Sequence, residues 1–177
     1  MFQKTILSIY ERTGHFSHAY KREGYEVIQV DSAIDGKDAR TIPFQPGLNV
    51  HGIIACPPCT YFSKANTRAN FEKNKTEALS LLDVIFRMIV LYRPNWYVIE
   101  NPSESRIRQF IGAPTQIIRL SDYGYPCLKG TGLWGNFHKV LPAMKPKEYC
   151  KNFDRIPHNL RSSTPHLLGE YFYKSNP

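Results

Sequence analysis

Apolar residues along the chain come in two rhythms, short unbroken runs and longer stretches with helical spacing. Thr5–Tyr10 (Thr-Ile-Leu-Ser-Ile-Tyr) predicts a buried strand, and Glu26–Val30, which alternates and ends in Asp31, predicts a second. Between them Phe16–Glu23 reads as a helix closed by Gly24. Gly52–Ala55 is a third strand, stopped by Pro57-Pro58, neither of which has an N–H to give to a ladder. Asn74-Lys-Thr-Glu77 has the form of a capping box and opens a long helix to Tyr92. In that helix Thr76, Ser80, Asp83 and Arg87 make one narrow polar stripe, which predicts that the rest is buried against a sheet. Trp96–Ile99 is a fourth strand, ending in Glu100-Asn101-Pro102 with the proline forcing a turn.

Beyond it the pattern predicts a short helix over Ser103–Ile111 with Arg106 and Arg108 exposed, then strands over Gln116–Leu120 and Thr131–Phe137. Ser163-Thr164-Pro165 is a helix-start signal, and the closing helix runs from Pro165 to Lys174. Asp35–Asp38 reads as a turn, and Arg40–Leu48 and Asp122–Pro126 as loops. From Leu141 to Pro157 prolines and lysines dominate without periodicity, which predicts a surface wrap. Strands and helices alternate through Ile111, so the expected fold is α/β, a mostly parallel sheet with helices on both faces. The length of 177 residues suits one domain, 1–177.

In such a sheet ligands bind outside the carboxyl ends of the strands. Those ends carry Asp31, Cys59 and Glu100, and are expected to converge on one edge. Cys59, delivered at a strand mouth and followed by Ser63, Lys64, Asn66 and Arg68, reads as a nucleophile under a loop. Cys56 precedes the prolines and belongs to the buried strand, where apolar surroundings keep a thiol inert. A thiolate adds to an electron-poor ring carbon, and a neighbouring acid activates that ring, which describes a pyrimidine base as substrate.

Charge narrows the partner. Lys+Arg number 23 against 15 Asp+Glu, a net charge of +8, which favours nucleic acid. Lys64, Arg68, Lys73 and Lys75 cluster after the nucleophile. No apolar stretch reaches the ~18 residues of a membrane span, and Ile6–Tyr10 is too short for a signal peptide's apolar core. The expected setting is cytoplasmic, with reduced thiols. Cys56-x-x-Cys59 has no second close pair in Cys127 and Cys150, so no metal is expected.

The motifs together resemble DNA cytosine methyltransferases of the carbon-5 type. Cys56-Pro-Pro-Cys59-Thr-Tyr-Phe-Ser63 is similar to their Pro-Pro-Cys-Gln-x-Phe-Ser motif, and Glu100-Asn101-Pro102 to their Glu-Asn-Val. Tyr10-Glu-Arg-Thr-Gly14-His-Phe16 resembles their Phe-x-Gly-x-Gly cofactor loop, and Tyr123-Gly-Tyr-Pro126 with Lys129 their Tyr-Gly-x-Pro-Gln-x-Arg. The pattern looks closest to short forms found in phages and bacteria, which places the chain in a bacterial or phage-infected cell. The resemblance implies a Rossmann-like class I methyltransferase fold and S-adenosylmethionine as cofactor. It implies that Cys59 attacks carbon six of cytosine in DNA while Glu100 engages the ring, with Lys129 beside them. It further implies that Tyr10, Thr13, Gly14, Phe16, Asp31, Asp38 and Pro57 hold the cofactor, and that Ser63, Lys64, Arg68 and Asn101 meet the nucleic acid.

Arg12 stands where the family has glycine, Thr60 where it has glutamine, and Thr131 where it has a second arginine. About 40 residues follow Gly135, too few for a separate target-recognition domain, so a protein partner supplying recognition is part of the expectation. Two other readings stay open: a catalytically altered nucleic-acid-binding or decoy protein, and an enzyme using the same thiol chemistry on free pyrimidine nucleotides.

Overall fold

In the computed structural model, residues 3–36, 38–64, 68–144, 156 and 163–177 are described; the side chains of Asp35, Arg68 and Ala69 are not. Six strands form one sheet in the order β2-β1-β3-β4-β6-β5. They are β1 (Thr5–Ile9), β2 (Glu26–Val30), β3 (Val50–Ala55), β4 (Trp96–Pro102), β5 (Gln116–Arg119) and β6 (Gly130–Asn136). The first four run parallel, and β6 is antiparallel to both of its neighbours, β4 and β5. Every residue of β1 and β3 is buried, as central parallel strands covered on two faces must be.

The helices are α1 (His18–Arg22), α2 (Ser32–Asp35), α3 (Arg68–Tyr92), α4 (Arg108–Ile111) and α5 (His166–Ser175). On one face α1 and α5 pack an aromatic-rich core of Phe16, Tyr20, Trp96, Leu168 and Phe172. On the other, α3 sets Ala78, Leu82, Ile85 and Met88 against Leu7, Ile9, Ile53 and Ile99. The expected mostly parallel sheet with helices on both faces is therefore present.

Several local expectations are corrected. The long helix starts at Arg68 and not at Asn74, so Asn74-Lys-Thr-Glu77 lies inside it and caps nothing. Tertiary packing supplies the extra turns: Phe71 is 3% exposed, against Phe110 and beneath the Arg106 guanidinium. The rest of that helix is not all buried either, since Leu79, Phe86, Val90 and Leu91 are exposed. Its polar residues Glu77, Ser80 and Arg87 turn instead to Arg40.

The expected helix over Ser103–Ile111 shrinks to α4, and Arg106 is half-buried on the Phe71 ring. The turn expected over Asp35–Asp38 is preceded by the one-turn α2, and a 3-10 turn at Ala39–Thr41 interrupts the following loop. β4 does not stop at Ile99; pairing with β6 continues through Glu100↔Leu133, Asn101↔Gly132 and Pro102↔Thr131, and Pro102 is its last residue. β2 has the expected range, and β1, β3, β5, β6 and α5 differ from theirs by one or two residues. The Leu141–Pro157 wrap, Cys150, Lys37 and Asn66 lie, wholly or mostly, outside the described residues.

Candidate active site

The site is built where β1, β2, β3 and β4 end. After Ala55 the chain keeps one more tie to the sheet, Cys56 N–H to the Ile9 carbonyl at 2.9 Å, and then reaches Pro57-Pro58. Cys59 opens a 3-10 turn over Cys59–Tyr61, closed by Phe62 N–H to the Cys59 carbonyl at 3.0 Å. Asn101 braces this turn from β4, its Nδ2 donating to the Pro57 carbonyl at 2.8 Å. Proline breaks the strand, and an amide from the neighbouring strand fixes where the broken chain goes. Cys59 consequently stands half-buried in a cleft of about 200 Å3 lined also by Ser63, Lys64, Pro102, Glu104 and Ser105.

Electrostatics tie three of the expected residues together. Burial pushes the Cys59 thiol up from its ordinary value, the Lys129 cation pulls it down, and Glu100 pushes it up again. Burial likewise raises the Glu100 carboxyl, which Lys129 draws down. The Lys129 cation thus lies close enough to act on both Cys59 and Glu100, although it comes from the segment before β6. Glu100 shares a sheet face with Pro102, Thr131 and Leu133 by register. The Thr131 hydroxyl faces Glu100 and lowers its pKa, yet no hydrogen bond of normal geometry closes on Thr131 Oγ1. Asn101 Oδ1 is likewise buried without a partner among the described residues. Cys56 is the contrasting thiol: burial first, then Glu100, Glu11 and Asp31, push it well above its ordinary value. It remains protonated at neutral pH, as its place next to the buried strand predicts.

The other end of the edge carries the loop from Tyr10 to Ser17. Tyr10 has a left-handed φ of 60°, and its buried hydroxyl finds no hydrogen-bond partner among the described residues. Burial and then Asp38 raise its phenol pKa, so Tyr10, Asp38, Arg40, Glu77 and Arg87 form one neighbourhood. Gly14 also has a left-handed φ, 68°, and a Cβ there would meet Gln29 Oε1 at 3.2 Å, so both the backbone and the neighbour favour glycine. Thr13 is exposed, its Oγ1 accepting from His15 N–H at 3.4 Å. Phe16, expected beside the cofactor, is fully buried and packs edge-on against Phe172.

The acids divide in use. Asp31 caps α2, with Oδ1 accepting from Ala33 N–H at 2.8 Å. Asp38 accepts from the Arg40 backbone N–H and Nε at 2.9 Å each, and its pKa is lowered by that guanidinium. Of the residues expected at nucleic acid, Ser63 and Lys64 line the cleft and Lys64 pairs with Glu104 at 2.8 Å. Asn101 is only 1% exposed and serves first as the brace on Pro57. The side chain of Arg68 lies outside the described residues.

Glu11 was not singled out by sequence reasoning and is a buried acid of the edge with donors from three residues. It is 2% exposed, accepting from Ser8 Oγ and from Phe16 and Ser17 N–H. An acid placed just after a strand and before a one-glycine loop was the available signal.

The sheet order, the two covered faces and the loop after β1 define a class I methyltransferase fold. Two solved structures share it: a methyltransferase of Entamoeba histolytica, 15% identical with a TM-score of 0.55, and a prophage-encoded E. coli protein described as a "putative DNA modification methyltransferase", 16% identical with a TM-score of 0.53. They match 90% and 82% of this chain, which spans 65% and 53% of theirs. Within that class, residues 15–126 match the model of the C-5 cytosine-specific DNA methylase family, and the chain belongs to that family. A curated relative, the "Probable DNA (cytosine-5)-methyltransferase" of Frog virus 3 (isolate Goorha), is 27% identical over 157 residues, covering 77% of this chain and 72% of the relative.

Proposed function

We propose that the chain transfers a methyl group from S-adenosylmethionine to carbon five of cytosine in DNA. The observation that carries the reading is the meeting of Cys59, Glu100 and Lys129 at the strand mouths of one edge. As a thiolate, Cys59 forms a bond to carbon six of the ring, and the electron pair released becomes nucleophilic character at carbon five. Glu100 is placed to offer a proton or hydrogen bond to the ring nitrogen, which lowers the cost of that charge, and burial raises its carboxyl in the direction this role requires. Lys129 favours the thiolate against the burial that opposes it. Once carbon five has taken the methyl group, with S-adenosylhomocysteine leaving, loss of the carbon-five proton to solvent water and cleavage of the sulfur–carbon bond return Cys59. The target base reaches this cleft by leaving its stack.

The residues at the loop end fit the cofactor. Gly14 keeps the loop open to close approach, Asp31 retains an oxygen beyond the one that caps α2, and the buried Tyr10 hydroxyl lacks a partner among the described residues. When bound there, S-adenosylmethionine supplies the electrophilic methyl group. Asp31 would hold its ribose and Tyr10 would flank it. Asp38 is committed to Arg40 and would contribute through that pair.

Bisulfite or mass analysis of DNA co-expressed with the chain tests the reading. Methylated cytosine is expected with the parent and none with Cys59→Ala. Unmodified DNA, together with a purified chain that traps no 5-fluorocytosine oligonucleotide in the presence of cofactor, would refute it.

A further inference from the structure

Resting on that reading, we propose that Glu11 is the positioning residue of the cofactor loop, a buried clasp that holds Arg12–His15 in the binding conformation. The family's loop follows its path by repeated glycines; this one has Gly14 alone and a bulky Arg12. What replaces backbone freedom is a set of internal ties. The Glu11 carboxylate takes two amide N–H groups, Phe16 and, at 3.2 Å, Ser17, that lead into α1, so both ends of the loop are joined across its base. Ser8 Oγ donates at 2.5 Å and orients the carboxylate from the end of β1.

Two further contacts keep the clasp in place. Gln29 on β2 donates its amide to the Glu11 carbonyl, and the Thr164 carbonyl meets His15 Nδ1 at 3.0 Å. Gly169 of α5 completes the support, because a Cβ there would come within 2.6 Å of the His15 and Phe16 carbonyls. An acid at this depth is costly unless its lone pairs are used, and here three donors use them. A loop ordered before the ligand arrives spares the ordering entropy otherwise lost on binding. Glu11 touches neither the base nor, on this reading, the reacting methyl group; it acts through the loop.

Calorimetric titration of the full chain with S-adenosylmethionine and S-adenosylhomocysteine tests this. Glu11→Ala, which removes the Oε1 that accepts both amides, should keep its melting transition and circular dichroism but bind both molecules at least tenfold more weakly. Its kcat at saturating cofactor should stay within twofold, so the loss appears in KM. Glu11→Gln, which keeps an oxygen for both amides, should bind within about threefold of the parent. Ser8→Ala, which keeps both amide bonds, should weaken binding about threefold and decides the matter if Glu11→Ala fails to fold. A folded Glu11→Ala chain that binds like the parent, or a Ser8→Ala chain that does so when Glu11→Ala is unfolded, overturns the clasp alone. A parent chain that binds neither molecule overturns the methyltransferase reading and the clasp with it.

Discussion

At the loop end of the edge the acids find donors: Glu11 takes Ser8, Phe16 and Ser17, Asp31 takes Ala33, and Asp38 takes Arg40, while the buried Tyr10 hydroxyl has no hydrogen-bond partner among the described residues. The nucleophile end holds two such atoms. Asn101 Oδ1 and Thr131 Oγ1 are buried without partners among the described residues, and Cys59 is held half-exposed against the pull of its own burial. Buried polar atoms are normally paired, and leaving one unpaired costs about 1–3 kcal/mol. The difference fits a division of labour, in which a loop with one glycine must be ordered from within while the base pocket keeps unused hydrogen-bonding capacity for its substrate.

The largest break of this comparison is at the thiols. Cys59→Ser should lower methyl transfer by about 10³-fold or more, as loss of a covalent nucleophile does, and should abolish trapping by 5-fluorocytosine DNA. Cys56→Ser should still trap. Adduct retained with Cys59→Ser and lost with a folded Cys56→Ser would reverse the assignment.

Glu100→Gln comes next, with a rate loss of about 10²–10⁴-fold expected for a positioned acid. It should also change stability with a definite sign. Burial raises the Glu100 carboxyl above its ordinary 4.5, so the folded chain holds this proton after the unfolded chain has lost it. Stability therefore falls as pH rises from about 4.5 until the native carboxyl ionises. Glu100→Gln removes that fall, so it should be more stable relative to the parent at pH 8 than at pH 4. Urea denaturation at both values checks it, and a constant difference would mean that Glu100 is not a raised acid.

Thr131→Val should sharpen the contrast with the opposite sign. It deletes a buried unpaired hydroxyl at nearly constant shape, so stability should be unchanged or rise by up to about 1 kcal/mol. Adduct formation should slow severalfold if the hydroxyl serves the base or Glu100. Slowing without a loss of melting temperature supports reserved capacity; destabilisation would place Thr131 in the scaffold.

The smallest effect is expected at the exposed Lys64–Glu104 pair on the rim of the cleft. Neither Lys64→Gln nor Glu104→Gln should move the melting temperature measurably. Lys64→Gln should lower the salt slope of DNA binding by about one, and Glu104→Gln should raise affinity by freeing the ammonium for phosphate. A Lys64→Gln chain with an unchanged slope would remove Lys64 from the nucleic-acid surface.

What the sequence by itself determined is what short-range pattern can carry. Unbroken apolar runs mark β1, β3 and β4 because a strand covered on both faces has no polar side. Pro57-Pro58 marks the break because a missing N–H ends a ladder wherever it falls. The arrival of Asp31, Cys59 and Glu100 at one edge followed from parallel strands joined by helices. Tertiary structure decided the rest, through partners distant in the chain. Phe71 begins α3 early because Phe110 and Arg106 cover it. Asn101 braces Pro57 because β4 lies beside β3, and Lys129 reaches Cys59 and Glu100 because β6 turns back along β4. Glu11 shows the limit most plainly. In the sequence it is one more acid in a polar loop, and only the folding of α1 back onto β1 buries it and makes its carboxylate the base of that loop.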